Sequence, residues 1–133
     1  MKSLTKAWLD AAKNDLDVID RIIKDVHLSH IVAFHAQQSV EKCFKAFMEE
    51  HDVDAQKVHN LITLYAKIEI FLAGDELDRR MMKILDSLYI DARYSGSLGL
   101  LPEGLPTQEE AKRFQAFAMA VYGLALRTLK VEQ

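Results

Sequence analysis

The chain has 133 residues, half of them hydrophobic, which is the length of one domain and ample material for a continuous core. Its net charge of −3 gives no global basic field for a nucleic-acid duplex or an acidic membrane, so a nucleic acid would have to be held by a local patch. A single cysteine, Cys43, excludes an intramolecular disulfide or a thiolate zinc cluster. No apolar run approaches the ~20 residues of a membrane span, and the start of the chain lacks a signal-peptide block, so the expectation is one soluble, cytoplasmic domain over residues 1–133.

Strand signals are missing, and glycine and proline are scarce before residue 74 and then gather between Ser95 and Pro106. The first helix is predicted over about 4–26, with Trp8, Ala11, Ala12, Leu16, Ile19, Ile22 and Ile23 at helical spacing. Ser29 is a candidate N-cap for a second helix that runs to about Glu50, followed by a polar turn from His51 to Lys57. A shorter third helix is expected from Val58 to Phe71, broken by Gly74, and a fourth from Asp75 to Ala92 with Leu77, Met81, Ile84, Leu85 and Leu88 inward. The stretch Arg93–Pro106 is long for a connection between packed helices, which favours a functional or mobile loop. Thr107 and Glu110 then form a Thr-x-x-Glu capping box for the last helix, which continues through Phe114, Phe117, Val121, Leu124 and Leu129. The expected fold is all-α, an antiparallel up-and-down four-helix bundle with an additional short helix.

The second helix carries the sharpest anomaly. At about 100° per residue, Ala33, Ala36, Val40, Cys43, Phe44 and Phe47 share one apolar arc, and Gln37 falls on it too. A buried amide without partners costs roughly 1–3 kcal/mol, so Gln37 should bond to another helix, to water or to a ligand. Gln38, Glu41, Lys42, Lys45 and Glu49 form an adjoining polar stripe, readable as a solvated face with Glu/Lys support or as a binding surface. Cys43, on the apolar arc, reads as a small core residue.

The P-loop, the dinucleotide-binding glycine fingerprint, the His-Glu-x-x-His helix and the Gly-x-Ser-x-Gly elbow are all absent. His35 and His51 share no metal-ligand spacing with other donors, so neither a metal nor a cofactor is expected. His59 opens the predicted third helix, where outward N–H groups favour an anion, or else it caps or packs. Arg93 and Tyr94 are placed at the start of the irregular loop, where the guanidinium suits phosphate or simply complements the helix dipole. Tyr89, four residues before Arg93, could stack on a base or fill the core.

The block Ala33–Phe47 with its Gln37-Gln38-x-x-Glu41-Lys42-x-x-Lys45 pattern, then Lys57-Val58-His59-Asn60-Leu61, then Tyr89-x-x-x-Arg93-Tyr94, resembles the HEPN domain family, the higher-eukaryote and prokaryote nucleotide-binding domains. The opening Trp8-Leu9-x-x-Ala12-x-x-Asp15-Leu16 extends the resemblance over essentially the whole chain. The resemblance implies a helical bundle that homodimerises and that acts with a minimal nucleotidyltransferase partner in arrangements related to toxin–antitoxin pairs. It also implies a nucleotide-binding role for Gln37, Gln38, Glu41, Lys42, Lys45, His59, Arg93 and Tyr94.

Nuclease branches of that family carry an Arg-x(4–6)-His motif in a later helix. Here the only such string is Arg21 to His27, and no histidine follows Arg93. The expected function is therefore a nucleotide- or RNA-binding module. The alternatives are a metal-independent endoribonuclease, with His59 or His27 as general acid/base and Arg93 stabilising the phosphorane, or a pure protein-interaction module.

Overall fold

The computed structural model describes residues 1–54, 57–94 and 104–129, with 90–94 described as backbone. The described residues are helical, without strands: α1 (Ser3–Ile22), α2 (Ser29–Glu50), α3 (Leu61–Ile68), α4 (Arg79–Tyr94) and α5 (Gln108–Thr128). The all-α expectation is met, with four long helices and one short one among the described residues.

Helix α1 buries Leu9, Ala12, Leu16 and Ile19 and keeps the Lys6–Asp10 and Lys13–Asp17 pairs on its solvent side. It stops at Ile22, earlier than its periodicity suggests, because residues 24–27 are exposed and a 3₁₀ turn, Val26–Leu28, turns the chain into α2. Helices α1 and α2 run antiparallel, as the bonds Thr5 Oγ1 to Glu50 (2.9 Å) and Ser39 Oγ to the Ala12 carbonyl (3.0 Å) require. The start of α1 is also tied to the end of α2, where Lys2 Nζ bonds the Glu49 carbonyl and pairs with Asp52, favourable beside a helix C-terminus. The Lys2 backbone N–H, and after it the Thr5 hydroxyl, hold the Glu50 carboxyl below its ordinary range.

Ser29 does not cap α2. The N-cap position falls on Leu28, without a side-chain bond, and the Ser29 hydroxyl instead donates to the Pro106 carbonyl at 2.6 Å, joining the approach to α5. Helix α2 closes with Asp52 in the left-handed region (φ 56°) and the Val53 N–H on the Met48 carbonyl, a Schellman-type end made here without glycine.

Helix α3 begins at Leu61, not Val58, because Asn60 accepts the Thr63 N–H and so sets the start. It tightens into a 3₁₀ turn, Glu69–Phe71, before Gly74 at φ 91°. Helix α4 starts at Arg79 because the Asp78 carboxylate receives the Met81 N–H, and it runs to Tyr94, so Arg93 and Tyr94 end the helix instead of opening the loop. The capping box before α5 is present in both directions, with the Glu110 N–H on Thr107 Oγ1 (3.0 Å) and the Thr107 N–H on Glu110 Oε1 (2.7 Å). Gln108 and Gln115 bond back to Ile23 and Asp20, which sets α5 antiparallel to α1.

Helix α2 is the centre of the assembly, touching α1, α3, α4 and α5. Val40, Phe44, Phe47 and Met48 on it pack among Leu9, Ile19, Leu61, Leu64, Met82, Leu85 and Val121 in one core. Each fully buried side chain of this size contributes roughly 1.5–3 kcal/mol. Such a surplus lets α2 carry polar groups inward. Cys43 lies fully inside this core, and burial raises its thiol far above the ordinary range, so it is inert packing as its position on the arc suggests.

Candidate functional site

Two polar clusters lie on α2, one toward α3 and α4 and one toward α1. The first is built on Gln37 and Glu41, four residues apart and therefore stacked on one face. Gln37 is 0% exposed. Its Nε2 donates to the His59 carbonyl at 3.1 Å and lies 3.4 Å from Glu41 Oε1, while its Oε1 accepts Gln38 Nε2 at 2.8 Å. The partner demanded by this out-of-pattern amide is thus the turn that precedes α3.

Glu41 Oε2 sits 2.8 Å from both Lys45 Nζ and His59 Nδ1. Glu41 and Lys45 are buried, whereas the His59 side chain is 55% exposed. An ionised Glu41 selects the Nδ1–H tautomer and turns Nε2 to the open side, the arrangement of a carboxylate-oriented imidazole that can exchange a proton or donate to an anion. Lys45 Nζ also stands 5.5 Å from the centre of the Trp8 ring, a cation–π contact that holds its ammonium against α1.

His59 was expected to open α3 beside free N–H donors. The structure corrects this, because Asn60 is the cap and the donors are already filled from inside the protein. Asp86 of α4 accepts the Leu61 N–H on both oxygens, at 3.0 and 2.9 Å, and the Ile62 N–H at 3.4 Å. The helix terminus therefore serves a built-in carboxylate. Burial pushes the Asp86 carboxyl above its ordinary range, against the pull of the Leu61 and Ile62 N–H bonds and the Gln37 amide.

Replacing Asp86 with alanine is expected to cost about 1–3 kcal/mol, because two N–H groups lose their acceptor, and urea denaturation measures it. The native protein holds the Asp86 proton at a higher pH than the unfolded chain does. Its titration therefore favours the fold fully below the free carboxyl's 3.8, and that contribution is lost as pH rises through the folded value. The stability of wild type relative to Asp86→Asn should accordingly improve on acidification.

The second cluster faces α1. Asp15 holds His35 Nδ1 on Oδ1 (2.9 Å) and Lys42 Nζ on Oδ2 (2.8 Å). Phe34 meets His35 edge-on at 5.3 Å and stacks on Tyr89 at 5.4 Å, so Tyr89 packs between α4 and α2 at this end.

Of the residues singled out in the sequence, Gln37, Gln38, Glu41, Lys45 and His59 converge, and Lys42 joins the separate Asp15 cluster. Arg93 and Tyr94 lie at the backbone end of α4, and their side chains fall outside the described residues, as does the glycine-rich stretch 95–103. His27 is exposed in the 3₁₀ turn and joins neither cluster.

Asp15, His35 and Asp86 are site residues to which the sequence alone assigns no role. Asp15 and Asp86 could have been found by the rule that exposed Gln37. Asp15 falls between Ala12 and Ile19 on the buried face of α1, and Asp86 lies four residues after Met82 on that of α4. Among the described residues, no group of three or more metal-type donors is present, and no helix is long and apolar enough to cross a membrane.

Comparison with curated proteins and with solved structures finds no match. The model of the HEPN domain matches residues 5–129, a span that contains both clusters and all five helices apart from the first two residues of α1. The chain belongs to the HEPN domain family.

Proposed function

We propose that the protein is a nucleotide- or nucleic-acid-binding module whose ligand lies along the half-buried strip of α2, with phosphate at Lys45 and His59. The observation that carries this reading is the pairing of the buried Glu41 with both Lys45 and the exposed His59. A carboxylate so placed fixes the exposed imidazole and holds the buried Lys45 charge beside it at little reorganisation cost, as recognition of an anion needs. Membership of the HEPN family supports the same class of ligand. Gln38, tied to Gln37, would brace or read the base, and Lys42, Arg93 and Tyr94 would complete the surroundings.

Alanine at both Lys45 and Arg93 should weaken ATP affinity at least about tenfold, since charge-assisted bonds contribute about 1.5–3 kcal/mol each. Calorimetric titration measures it. Unchanged affinity in a double variant that retains its helical circular dichroism would rule out this assignment.

The carboxylate-oriented imidazole also supports a second reading, a metal-independent endoribonuclease in which His59 transfers the proton and the RNA 2′-hydroxyl attacks. An oligonucleotide lacking that hydroxyl would then resist cleavage, and equal cutting of both strands would exclude the mechanism. A homodimer, and a nucleotidyltransferase partner in a toxin–antitoxin-like pair, are part of the proposal on the strength of the HEPN resemblance. Co-purification with the product of the neighbouring gene tests the partner.

A further inference from the structure

The two clusters repeat one arrangement. In each, a buried carboxylate, Glu41 or Asp15, holds the Nδ1 of one histidine and the Nζ of one lysine at 2.8–2.9 Å. In each, the histidine reaches the surface, and at the Asp15 cluster His35 and Lys42 keep 24% and 27% of their side chains exposed. Between the clusters runs a half-buried strip of α2 made by Phe34, His35, Gln38 and Lys42. Lys42 and Lys45 are three residues apart, about 4.5 Å along the helix axis, and project on neighbouring directions.

We infer that this strip has two anion subsites, with His35–Asp15–Lys42 forming the second, so that its preferred ligand carries two or more linked phosphates and not one. The inference rests on the nucleotide reading above and specifies the ligand within it. Charge supports it. With a neutral imidazole each cluster sums to zero, and with an imidazolium to one positive charge, whereas a phosphate monoester bears about 1.5 to 2 negative charges at pH 7. One cluster cannot balance even a single terminal phosphate, and two supply at most two positive charges, so a phosphate chain would be held by the donors of both clusters and not fully neutralised by them.

Holding α1 against α2 does not by itself require the Asp15 cluster. Ser39–Ala12, Thr5–Glu50 and the apolar core already join these helices, and a purely structural ion pair has no need to leave its two donors a quarter open.

His35, on α2, is paired to Asp15 of α1, whereas His59, in the turn before α3, is paired to Glu41 of α2. They serve neighbouring groups of one ligand.

The test is calorimetric titration of AMP and of ATP, without metal, into wild type, His35→Gln and Lys42→Gln. Each variant leaves Asp15 with one of its two partners, and circular dichroism confirms the fold. The expected result is that wild type binds ATP at least about tenfold more tightly than AMP. Either substitution should then weaken ATP about tenfold while changing AMP less than about twofold.

Equal affinity of wild type for AMP and ATP overturns the second subsite and leaves nucleotide binding standing. So does an equal loss for both nucleotides in the variants, which is the signature of a merely structural Asp15 cluster. Absence of binding by either nucleotide to wild type at millimolar concentration overturns the nucleotide reading itself, and the two failures are thereby distinguished.

Discussion

Replacing Glu41 with alanine is expected to destabilise the protein by about 3–5 kcal/mol, because it strands the buried Lys45 ammonium without its counter-charge. The same change removes the acceptor that fixes His59 and takes one acceptor from the Gln37 amide, so the site loses its geometry along with its stability. Glu41→Gln keeps a hydrogen-bond acceptor and should lose less stability, yet it too abolishes the charge that selects the Nδ1–H tautomer. Denaturant titration reads the first effect, and nitrogen-15 NMR of the imidazole reads the second. If Glu41→Ala stays within 1 kcal/mol of wild type and leaves the His59 tautomer unchanged, the Glu41-centred network is not what organises this face.

Truncating Phe44 to alanine should cost a comparable 3–5 kcal/mol by a different route. The ring is fully buried, 6.0 Å from the Tyr65 ring that links α2 to α3, and Tyr65 in turn accepts the Leu77 N–H ahead of α4. The cavity left behind loses contacts on all sides, because the rigid helices around it collapse only partly. For a chain of this length the melting temperature should fall by roughly 10–20 °C. Below that transition the Glu41–His59 pair should persist in the NMR spectrum, in contrast to Glu41→Ala. That separation of stability from site geometry is the useful control.

Much of the helical layout was readable because single residues dictate local structure. The Thr107 capping box, the break at Gly74 and the apolar arc of α2 all stand where their chemistry places them. The errors arose where a distant group decides the outcome. Ser29 has an N-cap's side chain, yet its hydroxyl is taken by Pro106, which is 77 residues away. Val58 and His59 continue an apolar-polar pattern into α3, yet Asn60 and the Asp86 carboxylate from α4 fix the start at Leu61.

The site followed the same division. Gln37 betrayed itself by polarity within an apolar arc, but nothing local states that its partner is the His59 carbonyl. Asp15 and Asp86 carried the same signal on α1 and α4. His35 carried none of its own, since its role exists only once α1 brings Asp15 beside it. Periodicity along one helix locates a misplaced polar group, whereas the identity of its partner depends on the packing of another helix.

The most direct test of the nucleotide assignment is to titrate ATP, without metal, into isotopically labelled protein and follow the backbone, lysine and imidazole signals by NMR. The expected result is saturable shifts concentrated at Gln38, Lys42, Lys45, His35 and His59, with the far side of α5 unmoved. Absence of shifts at millimolar ATP, or shifts spread evenly over the surface, would contradict it.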